Sequence, residues 1–343
     1  MSQQWFKKIT KNQLFWSFEL SFSLVFLCVF IYLASNLETI INYDVITTLS
    51  IVVSSVVSFA TTIAILLNRQ NEQNGSHNKL WPLVSTVVAS AYAFVAGIFG
   101  YFVSIIFSMA FRQMTFDILS ASVLLATLGG LISYYLYEHV SKFDRSNFAR
   151  LIFVQYIGGF FLAAMKTGDP DWWSESICSL GMAINGAPFY FNFTMVLTGV
   201  LLWCFYYYLK PTFEKLQLGS YLNKKQLLLV KIFYFSAGAM AVILGLLPYG
   251  ISETINFVHN LFGYGIYEFF AIFMVFAGFV LRKFPKKFLA VNYLFLFSGS
   301  AIFIGHTVFG ISTHGIMELL LALILVGWLV AFIKTITSIT SEY

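Results

Sequence analysis

The chain has 343 residues, 59% hydrophobic and only 10% charged, with 39 phenylalanines and a mean hydropathy of +0.80. So little polar surface excludes a water-soluble enzyme or binding module of this size and implies an integral membrane protein. The formal charge of +5 is no sign of nucleic-acid binding, because the basic residues sit in short connections between apolar runs.

At roughly 20 residues per crossing of a ~30 Å hydrocarbon core, the length allows about ten to twelve helical spans and no sizeable soluble domain. Apolar runs fall at 13–35, 44–67, 80–111, 115–137, 148–165, 189–209, 226–250, 257–281, 288–310 and 315–335. Each is read as one helix, because an open strand edge has no hydrogen-bond partners in lipid. The expected fold is all-α, a polytopic transmembrane bundle of about ten spans forming a single integral membrane domain over 1–343.

The first run follows Lys7, Lys8 and Lys11 as in a signal peptide. From Leu14 to Ala34 it is long and lacks a small-residue cleavage site, so it is read as an uncleaved span. All six prolines (Pro82, Pro170, Pro188, Pro211, Pro248 and Pro285) are expected at or beyond helix ends, where a missing amide proton does least harm. The stretch "NRQNEQNGSHNK" (68–79) reads as a solvated connector. With the N-terminus inside, all of the 20 lysines and arginines except Arg112 and Lys166 fall in cytoplasmic segments. Both termini are therefore expected in the cytoplasm and the protein in the cytoplasmic membrane. Small residues at Gly97 and Gly100, and at Ala237, Ala241 and Gly245, are expected to let helices approach closely. Two inverted five-span halves would mark a secondary transporter, but the halves share no persuasive similarity and no span carries a mid-helix proline. Cys28, Cys178 and Cys204 lack metal or redox spacing.

The longest external connection carries "KTGDPDWWSESICSLG" (166–181). Asp169 suits the cap of a short helix, Pro170 its first position, Asp171 its dipole and Gly181 its end. Trp172 and Trp173 suit headgroup depth. Other polar residues are expected at the same face: Asn192, His259, Asn260, His306, His314 and Glu318, with Arg112 and Asp117 in the turn between the third and fourth spans. Ionisable groups inside membrane helices usually face the bundle interior and mark a site. His314 and Glu318 are four apart and suit a local ion pair. Asp169 with His259 suits an acid/base pair, the carboxylate orienting the imidazole. Three histidines are chemically able to hold zinc, but no recognised ligand spacing supports a metal, and none is expected. Glu268, near the middle of the eighth span, lies about 180° around the helix from His259 at 3.6 residues per turn. Glu19 lies two turns into the first span. "NFT" (192–194) matches a glycosylation acceptor but starts a span.

The motifs "DPDWW" and "SLG", then "FNFTMVLTG" (191–199), "VHN" (258–260) and "MELLLALILVGWL" (317–329), taken in order, resemble the family catalogued as domain of unknown function 998, uncharacterised prokaryotic multi-span membrane proteins. The resemblance runs from about 85 to 335. It implies signature positions at Asp169, Pro170, Trp172, Trp173, Leu180, Gly181, Phe191, Asn192, Gly199, His259, Asn260 and Glu318. Where that family carries histidine, phenylalanine and serine, this chain has Ser176, Ile177 and Cys178, so a serine nucleophile is not implied here. The family has no established activity, and the resemblance implies positions without a mechanism.

Three readings stand side by side. The first is a lipid- or envelope-precursor-handling protein with an outer-leaflet polar site. In it Asp169 and His259 are the acid/base partners, and Trp172, Trp173, Asn192, Asn260 and Glu318 bind a lipid or small-molecule ligand. The second is a proton-coupled transporter or export permease using Glu268, Glu318 and Glu19. The third is a non-catalytic accessory or immunity-type membrane protein. No reading calls for a cofactor or a nucleic acid, and membrane lipids are the expected partners.

Overall fold

The computed structural model describes residues 3–36, 41–72, 80–111, 115–182 and 187–341. The described residues form α1 (Gln3–Ser35), α2 (Tyr43–Glu72), α3 (Trp81–Ala110), α4 (Ile118–Ser141), α5 (Arg145–Lys166), the short α6 (Trp172–Glu175), a 3-10 turn (Ile177–Gly181), α7 (Pro188–Leu218), α8 (Lys224–Leu246), α9 (Glu253–Val280), α10 (Lys286–Thr307) and α11 (His314–Ser341). All but α6 are long and apolar enough to cross a membrane, which gives ten spans and a multi-pass membrane protein. The chain divides into two compact units, 1–143 with α1–α4 and 144–343 with α5–α11. The division is four spans and six, not five and five.

Two expectations are corrected. The helix α2 continues to Glu72, into the stretch read as a loop, because Arg, Gln and Glu are good helix formers once an apolar segment has nucleated the helix. The rest of that connector (73–79) and Arg112 lie outside the described residues. Pro211 lies inside α7, which runs on to Leu218. A proline removes one amide bond, and the buried Thr212, Phe213 and Leu216 beyond it hold the last turns by packing. Pro82 and Pro188 do open α3 and α7.

In the first unit α2 and α3 pack closely. A Cβ on Gly100 would lie 2.6 Å from the Ser50 carbonyl oxygen, so only glycine permits this crossing. Arg69 donates to the carbonyls of Val140 and Phe143 at the C-terminus of α4, where the helix dipole favours a cation. Asp117 caps the other end of α4, accepting from the Ser120 amide at 3.0 Å and its hydroxyl at 2.6 Å; these bonds hold its carboxyl below the ordinary range.

In the second unit polar side chains tie the helices where lipid supplies no alternative partner. Gln155 of α5 donates to the Thr194 carbonyl of α7 and accepts from the Thr198 hydroxyl. Trp203 of α7 donates to the Phe235 carbonyl of α8. Asn292 of α10 donates to the Met274 carbonyl of α9 and accepts from Trp328 of α11. Phe233, Phe270, Phe273 and Trp328 stack into one aromatic core. The side chains of Asp144, Asn223 and Ser252 cap α5, α8 and α9; at α8, Asn223 and Gln226 form a reciprocal capping box.

Candidate functional site

Connectivity puts the C-terminal ends of α5, α8 and α10 and the N-terminal ends of α7, α9 and α11 at one end of the second unit, together with the 167–182 segment. That segment is pinned to the start of α11. The Thr313 hydroxyl donates to the Trp173 carbonyl at 2.9 Å. A Cβ on Gly315 would lie 2.6 Å from the same oxygen, so the backbones meet there only because residue 315 has no side chain.

One turn into α11, Glu318 completes the junction. Its Oε2 accepts from the Ser176 hydroxyl at 2.8 Å and from the Ile177 backbone amide at 2.7 Å. Among the described residues, its Oε1 pairs with His314 Nε2 alone, at 3.4 Å. The side chain is buried, and the Tyr267 hydroxyl donates to the Glu318 carbonyl. A carboxylate buried among helices is tolerable only with several donors, and the 3-10 turn supplies two from one short segment.

Glu318 borders two cavities. A polar vestibule of about 380 Å³ is lined by Glu175, Ser176, Tyr249, Asn260, Tyr264 and His314, among others. A thin apolar cavity of about 130 Å³ runs between α5, α7, α8, α9 and α11, past Phe191, Leu244, Phe270 and Leu329. Cys178, Gly263 and Glu318 line both, so the two adjoin at these residues, here called the throat. Burial, reinforced by the nearby Glu318 charge, pushes the Cys178 thiol up to about 12, which makes it a poor nucleophile. A wider groove of about 730 Å³ lies between α9, α10 and α11 and shares Tyr264 and His314 with the vestibule.

The histidines form a short relay. His306 Nδ1 faces the Ser312 carbonyl at 2.8 Å and must donate; its Nε2 lies 3.3 Å from His314 Nδ1. His314 Nε2 lies 3.0 Å from the Tyr264 hydroxyl and 3.4 Å from Glu318 Oε1. A neutral His314 accepts there from Tyr264, whereas a doubly protonated ring donates to Glu318, so one nitrogen has two alternative partners.

The sequence-predicted residues divide. Asn260 and Glu318 share the vestibule, and His314 pairs with Glu318 as its spacing implies. Asp169 shapes its own turn: its Oδ1 accepts the Asp171 amide, and its amide donates to Thr167 Oγ1. The short helix α6 has Asp171 as N-cap with no side-chain bond, and Pro170 precedes it. Gly181 ends the 3-10 turn. His259 is fully buried, with Nδ1 donating to the Leu247 carbonyl at 2.6 Å and Nε2 left without a partner. Each of Asp169 and His259 is thus held by its own neighbours, and no hydrogen bond joins them. Trp172 packs edge-on against Phe160, while the ring of Trp173 is exposed. Asn192 donates to the Gly181 carbonyl at 3.5 Å and lines a separate shallow groove with Phe189 and Gly245. Glu268 lines the wide groove, on the side of α9 away from His259. Among the described residues no group of three His, Cys, Asp or Glu is placed to hold a metal ion.

Sequence reasoning missed Ser176, Cys178, Tyr249, Gly263, Tyr264 and Gly315. Only the glycines carried a signal, one mid-helix and one at a helix start, both positions where glycine costs stability unless something approaches closely. No family model, no curated protein and no solved structure matches the chain.

Proposed function

We propose that this multi-pass membrane protein binds a membrane amphiphile, a lipid or envelope precursor, with its polar group in the vestibule and its hydrocarbon in the apolar cavity. The observation that carries the reading is the shared throat of Cys178, Gly263 and Glu318. A polar chamber that shares a buried carboxylate with an adjoining apolar cavity matches a molecule with both characters. In this reading Glu318 and Asn260 contact the polar group. Asp169, Trp172 and Asn192 shape the 167–182 segment above it. The charge distribution of the connections supports an outer-face vestibule. We also propose that the chain belongs with the family it resembles; Asn260 and Glu318 are shared positions.

The test is photo-crosslinking of the full chain in nanodiscs with a fatty amphiphile bearing a diazirine in its tail. Adducts are expected on Ile177, Phe191 and Phe270. Gly263→Leu is expected to abolish them, because the position has open space beside Leu244, with 3.8 Å from a built Cβ to the nearest atom. Adducts spread over lipid-facing helix surfaces and unchanged in Gly263→Leu would sink the reading.

A second reading, proton-coupled transport, draws on the Glu318–His314–His306 relay and on Glu268 in the adjoining groove. It requires proton flux in proteoliposomes that Glu268→Gln removes.

A further inference from the structure

We propose that the polar group taken by this site is an ammonium, so that the ligand is a single-chain amphiphile with a cationic nitrogen head. The inference rests on the reading of vestibule and cavity as one site, and specifies its ligand class.

Charge comes first. Among the described residues, this end of the second unit carries Asp169, Asp171, Glu175, Glu253 and Glu318 against the single permanent cation Lys166. The vestibule wall itself holds two carboxylates, Glu175 and Glu318, and no lysine or arginine. A phosphate or carboxylate head would meet repulsion there with no fixed cation to offset it, and the low dielectric near a buried carboxylate strengthens that repulsion.

The remaining wall suits a cation. Tyr249 and Tyr264 line the chamber, and an aromatic side chain in such a wall can attract an ammonium electrostatically, most strongly when water is excluded. Glu318 commits Oε2 to the Ser176 hydroxyl and the Ile177 amide, but Oε1 has only the long contact with His314. That oxygen keeps lone pairs for a charged donor. Asn260 adds an amide with no hydrogen bond to the rest of the described chain, and its carbonyl oxygen can accept from an N–H.

Shape sets the tail. Along α11 the apolar cavity is bordered from Glu318 to Val330, a run of about 18 Å at ~1.5 Å rise per residue. The lining along that run is apolar, from Phe191, Leu244, Phe270, Ala322, Leu325 and Leu329, and its length suits a single extended hydrocarbon chain.

The experiment uses the full chain in phosphatidylglycerol nanodiscs and three photoprobes with the same twelve-carbon diazirine tail. Their heads are trimethylammonium, an uncharged short ethylene glycol, and phosphate. Labelling is read as adducts on the throat and cavity peptides, with Gly263→Leu protein as the control for partition into the disc. The ammonium probe is expected to label at least about tenfold more than either other head, the ratio that a favourable desolvated cation site supports. Glu318→Gln, which keeps an acceptor for Ser176 and Ile177, and Glu175→Gln at the exposed rim are together expected to lower the ammonium probe to the uncharged level. Equal labelling by ammonium and uncharged heads, or preference for phosphate, overturns the inference and leaves the amphiphile reading standing. Labelling by all three heads that ignores Gly263→Leu overturns the amphiphile reading itself. Unchanged labelling in the double glutamine protein, with its melting temperature held, removes the carboxylates from the recognition and overturns the inference.

Discussion

Glu318 does two jobs with one carboxylate: Oε2 anchors the 3-10 turn to α11, and Oε1 pairs with His314, which lines the vestibule with it. The two roles separate by substitution. Glu318→Ala strands a buried amide and a hydroxyl, and is expected to cost about 1–3 kcal/mol for each donor left unpaired. Glu318→Gln keeps an acceptor for both and is expected to melt close to the parent, so differential scanning fluorimetry in detergent distinguishes anchor from ligand contact. Equal loss in both would mean that the charge itself holds the turn. Cys178 gives a pH test at the same throat. Its thiol is raised to about 12 against 9.0 for an ordinary cysteine, so the folded protein favours the neutral form. The sign follows: stability from this group is whole below pH 9.0 and declines as the pH rises from there through 12. In a protein carrying Cys28→Ser and Cys204→Ser, alkylation of Cys178 at pH 8 is expected to be much slower folded than unfolded, since only the thiolate reacts. Comparable rates measured by mass shift would contradict the burial. Glu318, Asn260 and the His314 pairing were legible in the sequence because a polar residue inside an apolar run is costly and therefore informative. Ser176 and the Ile177 amide were not: a serine in a polar loop has no anomaly, and a backbone donor has no sequence signature.

Helices announce themselves through hydrophobic length, and all ten spans are where the apolar runs lie. Their ends were less legible, since α2 and α7 continue through residues that favour helix without being apolar. The crossings were legible only where small residues repeat, and glycine has opposite meanings at two of them. At Gly238 of α8 a Cβ would lie 2.6 Å from the Trp203 ring and 2.8 Å from the Gly199 carbonyl oxygen of α7. Gly238→Ala must therefore push the two helices apart, and is expected to destabilise by roughly 1–3 kcal/mol as an overpacking change. Gly263 of α9 has nothing nearer than 3.8 Å, so Gly263→Ala is expected to stabilise by up to ~1 kcal/mol through helix propensity alone. Thermal melts of the two variants should move in opposite directions. A loss at Gly263 as large as at Gly238 would mean that the throat is packed shut. A glycine that costs helix stability without relieving a contact is hard to explain by folding, whereas one that keeps a passage open is expected in a wall between two chambers.

At the scale of the molecule the boundary after Phe143 separates four spans from six. Both numbers are even, so each unit starts and finishes on the same side of the membrane and can satisfy the cation distribution without the other. Every residue of the proposed site lies in the six-span unit, as do its polar ties Gln155–Thr198 and Asn292–Trp328. This boundary was not legible beforehand, because the turn of Lys142, Phe143 and Asp144 is as short as any other and hydropathy reports crossings, not which helices share a core. Residues 144–343, expressed behind a new start codon, are therefore expected to insert with the 167–182 segment outside and the α7–α8 turn inside. Single cysteines at Asp171 and Lys225 read this out in intact cells: a membrane-impermeant maleimide should reach Asp171→Cys directly and Lys225→Cys only after permeabilisation, in the fragment and in the full chain alike. The throat adds a second measurement, since diazirine labelling sensitive to Gly263→Leu should survive in the fragment if the six helices form the site unaided. A fragment with the right orientation but no such labelling would show that the four-span unit is needed to shape the cavity; inverted labelling of the two cysteines in the full chain would put the vestibule on the cytoplasmic face.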